Sequence, residues 1–206
     1  MTPPNDGSGT KARLGAVVGD DQPPFTADYV VPADELGQTC IARADFSAIF
    51  GDHPAGIAVI TAQSPDGPVG LTVSSVSSVS AEPPIIGFSL QARSGSALLV
   101  AQADSLLVHL LDASNLGLAQ AFATHGAPRF GDAMDWEWLP TGEPILKGVG
   151  RVMRVHPLAR IQAGPALVFN AGVVEILGTE PNGAPMVYHR RQFHTLSSNS
   201  VVDYQI

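Results

Sequence analysis

The sequence predicts a mainly β protein: an antiparallel barrel with a few short peripheral α-helices. Three observations carry this. Short β-branched segments recur along the chain between clusters of Gly, Pro, Ser and Asp. Only two or three segments show helical spacing, and each is brief. The chain has no Gly-x-Gly-x-x-Gly and no Walker motif, which removes the doubly wound nucleotide-binding folds.

The elements follow in order. Asp45 is the expected N-cap of the first helix, with Phe46, Ile49 and Phe50 at helical spacing. That helix ends by Gly51, and Pro54 blocks its continuation. Ile57 to Ala62 reads as a strand, Ser64-Pro-Asp-Gly67 as a turn, and Val69 to Ser75 as the returning strand. Ile85 to Leu90 is a third strand, introduced by Pro83-Pro84. Ser94-Gly-Ser96 reads as an N-cap ahead of a helix from Ala97 to Gln102. Ser105 to Leu111 is a strand. Asn115 to Thr124 is helical, with Leu116, Leu118, Ala119 and Phe122 available for one face. His125 to Trp138 is irregular. Val149 to Val155, Ala166 to Leu177 and the tail from Met186 supply further strands.

The 206 residues suit one domain plus a tail. The expected division is a flexible N-terminal arm, 1–40, and a domain, 41–206. The opening MTPPNDGSGTKAR has the composition of a disordered arm and no h-region of a secretory signal. The more apolar Phe25 to Pro32 is suited to draping over a partner subunit. Apolar residues make up 45% of the chain and charged residues 15%. Mean hydropathy is +0.16, high for a free monomer, so a homodimer is expected. The formal charge of −8 argues against nucleic acid and against an anionic membrane surface. No apolar run approaches the ~20 residues of a membrane span. Cys40 is the only cysteine, which rules out an intrachain disulfide and fits a reducing cytoplasm.

The chemistry-bearing residues concentrate in two places. Gly70 to Pro84 carries Thr72, Ser74, Ser75, Ser77, Ser78 and Ser80 in a run that otherwise looks like strand. Each hydroxyl needs a partner when it leaves water. The run is therefore either an edge strand with one solvated face or a cradle for a flexible polar ligand. At Gln91-Ala-Arg-Ser-Gly-Ser96, Ser94 and Ser96 offer hydroxyls and N–H groups at a helix start, which favours an anion. Arg93 adds a fork suited to phosphate. The alternative there is a plain N-cap beside a solvated arginine. His53, His109, His125, His156, His189 and His194 have no metal-ligand spacing. Asp132, Asp135 and Glu137 read as a solvated acidic loop.

The Gly-Leu-Thr-Val-Ser-Ser-x-x-Ser-Val-Ser-x-x-Pro-Pro stretch resembles the signature of the flavin reductase-like, FMN-binding split-barrel family. These are the small reductase components of two-component flavin monooxygenases and their relatives. Further blocks resemble the family in order: Phe46 to Thr61, Phe122-Ala123, Trp138 with Thr141 to Leu146, and Pro185 to Arg191. The resemblance implies a split barrel that binds FMN or FAD. It places Thr72, Val73, Ser74 and Ser75 along the ring edge and ribityl chain, and Ser78 near the ribityl and phosphate. Gln91 to Ser96, with Arg93, Ser94 and Ser96, becomes the phosphate loop. Phe122, Ala123 and Thr124 sit near the ring or the adenine end, and His125 beside them is suited to face the flavin.

The chain departs from the family at one point. Typical members carry a Gly-Asp-His shortly before a strand with Gly-x-Val, and that His helps hold the nicotinamide nucleotide. Here the His position falls on Ala166 or Leu167, neither of which does polar work. Asn170 is the remaining polar candidate nearby. No catalytic acid or base is assigned, because flavin reduction rests on the cofactor's own chemistry. The leading expectation is a reductase that passes a hydride from NADH or NADPH to FMN or FAD and supplies reduced flavin to a monooxygenase. The alternative is a tight FMN-binding protein without efficient NAD(P)H oxidation. A third, a split barrel that has lost its ligand, conflicts with the hydroxyl run.

Overall fold

The computed structural model describes residues 29–31, 41–92 and 94–202. Strand β1 is Tyr29–Val31. Helix α1, Arg43–Gly51, follows. Strands β2 (Ala55–Gly56), β3 (Ala58–Ser64), β4 (Gly67–Val73), β5 (Ser77–Ala81) and β6 (Pro84–Leu90) come next. Helix α2 is Gly95–Gln102, β7 is Leu106–Leu110 and α3 is Leu116–Ala123. A short hairpin joins β8 (Trp136–Trp138) and β9 (Pro144–Leu146). Two long strands, β10 (Arg151–Ala163) and β11 (Ala166–Thr179), precede the last pair, β12 (Met186–His189) and β13 (Gln192–Thr195).

The main sheet runs β4-β3-β7-β10-β11-β6-β5, with β1 added beside β10. Every pairing along that path is antiparallel, and only β1 joins in parallel. Its two end strands, β4 and β5, are consecutive in the chain and separated only by Ser74 to Val76. The sheet thus curls back toward its start as a split barrel with peripheral helices, the expected fold.

Packing explains why β3 and β7 read as unbroken apolar runs. Alternate side chains leave a strand on opposite faces. Ala58, Ile60 and Ala62 enter one core with Leu106, Val108, Phe88 and Phe169. Val59 and Leu107 enter a second core with Phe122, Leu146 and Val152. A strand covered on both faces cannot show polar alternation. Phe88 and Phe169, register partners across β6 and β11, stack at 4.8 Å.

Several boundaries differ from the expectations. Helix α1 starts before Asp45: Ala42 holds the N-cap position, and no side chain caps it. The hydroxyl run is two strands, the end of β4 and all of β5, rather than one. Strand β10 continues to Ala163, well past Val155. Pro157 lies at a register shift, where sheets tolerate proline. Within the stretch read as irregular, Trp136–Trp138 pairs with Pro144–Leu146. Most of 1–40 lies outside the described residues, as does Cys40. Tyr29–Val31, inside the expected arm, pairs with Ile161–Ala163 of this same chain.

Candidate functional site

Three elements meet around one cleft of about 340 Å³. Thr72, Val73 and Ser74 form one wall at the end of β4; Gln120, Ala123 and Thr124 form the next at the end of α3. Tyr188, Arg191 and Phe193, from the β12–β13 hairpin, close the third side with Ile57. The hairpin is brought there by β2, since Tyr188 pairs with Ala55 and Val187 with Gly56. The size lies within the usual range of small-ligand clefts, roughly 300–1,000 Å³.

Helix α3 is fastened to β4 by two devices. Thr72 Oγ1 donates to the Ala119 carbonyl at 2.8 Å. At Gly70 an added Cβ would meet Ile60 O and Phe122 Cε1, both at 2.9 Å, so the absent side chain is what lets the Phe122 ring lie on the strand. Phe122 itself is a core residue, only 2% exposed, and it is Ala123 and Thr124 that line the cleft.

The cleft therefore gathers five of the sequence candidates: Thr72, Val73, Ser74, Ala123 and Thr124. The others lie elsewhere. Ser75 faces away, donating to the Ser89 carbonyl and accepting from the Ser89 N–H, both at 3.0 Å. Ser78 is exposed on β5, and Gln91 is exposed just after β6. Arg93 lies outside the described residues. Ser94 is the N-cap of α2 and makes no side-chain cap bond, so its hydroxyl is uncommitted. His125 is exposed, and among the described residues no His, Cys, Asp and Glu group is placed to hold a metal.

Arg129, in the stretch read as irregular, ties the site together. Its Nη1 donates to Ser96 Oγ at 3.0 Å and to the Gly70 carbonyl at 3.1 Å. Its Nε donates to the Ala121 carbonyl at 3.2 Å and Nη2 to the Thr124 carbonyl at 2.7 Å. A cation on the last carbonyls of α3 satisfies the end of that helix and complements its dipole. Because the guanidinium donates, the Ser96 hydroxyl keeps its own hydrogen free for an outward acceptor. The first turn of α2, the middle of β4 and the end of α3 thus share one positive anchor. No spacing rule flags it, because its partners are 5 to 59 residues away.

Two buried groups shape the frame behind the cleft. His109 is fully buried on β7: Leu146 N–H donates to Nε2 at 3.1 Å, and Nδ1 faces the Val59 carbonyl at 3.2 Å. That pattern assigns the neutral form with its proton on Nδ1. Burial lowers the His109 pKa to about 4, despite opposing backbone hydrogen bonds at Val59 and Leu107. Asp112, also buried, joins the start of α3 to the segment before β12. Burial would raise its carboxyl, but hydrogen bonds from Ser114 and from the Asn182, Ser114 and Gly183 backbone outweigh it and hold the pKa below the ordinary value.

A split-barrel frame carrying a hydroxyl-lined cleft against a helix end has close counterparts among known proteins. The family model for the flavin reductase like domain matches residues 50–197. The chain belongs to the flavin reductase-like family. It is 38% identical over 159 residues to an NADH:FMN oxidoreductase of Rhodococcus qingshengii, covering 76% of this chain and 83% of that one. It is 28% identical to a protein of Rhodococcus opacus named as the reductase component of a 4-nitrophenol and 4-nitrocatechol monooxygenase, covering 73% and 80%. Among solved structures, a flavin reductase domain protein from Arthrobacter sp. FB24 superposes with a TM-score of 0.71 at 32% identity, covering 80% of this chain and all of the other.

Proposed function

We propose that this family member is an NADH-dependent flavin reductase that reduces FMN, with FAD as the other accepted flavin. The observation that carries it is the cleft: β4 hydroxyls face an α3 end, with an anchored serine at the adjoining helix start. The residues fit a flavin. Ser74 is exposed at the cleft wall, and Ser94 and Ser96 have hydroxyl hydrogens uncommitted beside the α2 N-terminus. Ser94, Ser96 and Arg93 would hold the phosphate, and Thr72 to Ser74 the ring edge and ribityl chain. Ala123 and Thr124 face it from the end of α3, while Ser75 stays committed to the Ser89 backbone and Ser78 and Gln91 lie outside the cleft lining.

The flavin supplies the redox chemistry, accepting two electrons and a hydrogen nucleus as a hydride. The chain has to bind both partners in register and exclude water, and needs no acid or base of its own. The relatives carry names of NADH-dependent enzymes, which favours turnover over a tight-binding flavoprotein that does not oxidise NAD(P)H. Reduced flavin would pass to a separate monooxygenase, as the name of the R. opacus relative suggests. The exposed Phe46, Ile49 and Phe50 on α1 support a homodimer, and the single cysteine supports a cytoplasmic setting. Purified protein given NADH and FMN should oxidise NADH at rates of about 1 per second or more. No NADH- or NADPH-dependent flavin reduction would sink the proposal, and a strict monomer in light scattering would sink the dimer.

A further inference from the structure

Arg191 stands out in the cleft. Residues 190 and 191 are the two-residue turn between β12 and β13, closed by the His189–Gln192 pair. Both have left-handed backbones, with φ of +48° and +63°. A hairpin turn of this kind ordinarily takes Asn and Gly, because side chains with a Cβ are strained there. Strain kept where it is easily avoided points to use. The two arginines have different surroundings. Arg190 pairs with Asp52 through Nε, and its N–H donates to the Gly51 carbonyl at 3.1 Å. Arg191 makes no ion pair or side-chain hydrogen bond within the described residues. Among the described residues that line the cleft it is the only charged one, in a chain of net charge −8.

We infer that Arg191 binds the diphosphate of the nicotinamide nucleotide and governs its affinity. This rests on the reductase reading. Hydride transfer needs two ligands in one cleft, and the second brings two more negative charges. The flavin phosphate has its anchor at the start of α2. On β11 the nucleotide finds no polar help from Leu167, which is 1% exposed, or from Ala166. Arg191 presents a planar fork with matching geometry for phosphate oxygens. Tyr188 and Phe193, in edge-to-face contact at 5.2 Å on the same hairpin, flank it with aromatic surface for a planar ring.

The test compares wild type with Arg191→Ala, Arg191→Gly and Arg191→Lys. Glycine suits the left-handed turn, so Arg191→Gly should fold at least as well as wild type. Dissociation constants for NADH, for ADP-ribose and for FMN are measured by titration, separately from turnover. The Ala and Gly variants should bind NADH and ADP-ribose about tenfold more weakly, with Lys between, while FMN affinity stays put. In turnover the same two variants should raise KM for NADH and leave kcat near wild type. Unchanged NADH affinity in Arg191→Ala overturns the inference. Weakened FMN binding with unchanged NADH binding also overturns it and assigns the cation to the flavin. A wild type that binds NADH without reducing flavin defeats the reductase reading instead, and one that binds no NADH defeats both.

Discussion

Arg129 and Ser96, 33 residues apart in sequence, are joined by a 3.0 Å hydrogen bond that links the end of α3 to the first turn of α2. The same guanidinium holds the Gly70, Ala121 and Thr124 carbonyls. Arg129→Ala leaves these acceptors short of their donor. Its unfolding free energy should fall by about 2 kcal/mol, since hydrogen bonds to charged groups are individually worth roughly 1.5–3 kcal/mol. FMN affinity should fall with it. A variant with wild-type stability in urea titration would show that water replaces the guanidinium without loss.

The phosphate assignment has its own test. Replacing Ser94 and Ser96 together by Ala should weaken FMN binding by roughly tenfold or more, with riboflavin affinity much less affected. Equal weakening for FMN and riboflavin would move the phosphate away from α2.

His109 makes stability depend on pH. Its folded pKa is about 4, below the ordinary 6.5. The unfolded chain therefore binds the extra proton first as pH falls. The contribution of neutral His109 is fully present above about pH 6.5 and is lost progressively down to about pH 4. The full loss is of order 3 kcal/mol. Urea midpoints at pH 7.5, 6, 5 and 4.5 should fall steadily, and His109→Phe should flatten the upper part of that slope. Asp112 acts lower, because its depressed carboxyl pKa confines its loss to below the ordinary carboxylate range. An identical slope in wild type and His109→Phe would remove the histidine from the account.

Gly70→Ala should destabilise the fold by about 1–3 kcal/mol through overpacking. The new methyl has backbone oxygen on one side and the buried Phe122 ring on the other. A variant as stable as wild type in chemical denaturation would mean that α3 can shift away from β4 without loss.

Much of the fold was legible in local pattern. The β-branched runs at β3, β6 and β7 and the turn at Ser64–Gly67 reflect neighbours in sequence, so they were visible. Strand β10 runs past Val155 through Pro157, whose register shift depends on its pairing with β11 and leaves no local pattern. Strand β5 was hidden because Ser77 and Ser78 continue the hydroxyl composition of β4. The site divided in the same way. Thr72 to Ser74 and Ala123-Thr124 stood out in two contiguous segments. Gln120, Tyr188, Arg191 and Phe193 did not, because three of them arrive from a hairpin more than 110 residues from β4. The Pro185–Arg191 block resembles the family, but only the pairing of β12 with β2 brings its Tyr188 and Arg191 to the cleft.

Strand β1 carries a consequence for how the molecule is assembled and kept apart from its copies. Strand β7 accompanies β10 only along Val152–Val155, and further on the same side β1 lies against Ile161–Ala163. Tyr29 meets Ile161 across more than 130 residues of chain, so closing that loop is among the most distant pairings of the fold. Its loop-closure cost is correspondingly larger than that of the β10–β11 hairpin, whose strands are joined by two residues. Without β1 the far end of β10 would present open backbone donors and acceptors, the kind of margin on which a foreign strand can dock. A chain shortened past Val31 would keep the cleft and lose this seam, trading a self-sheathed sheet for one inclined to stick to its neighbours.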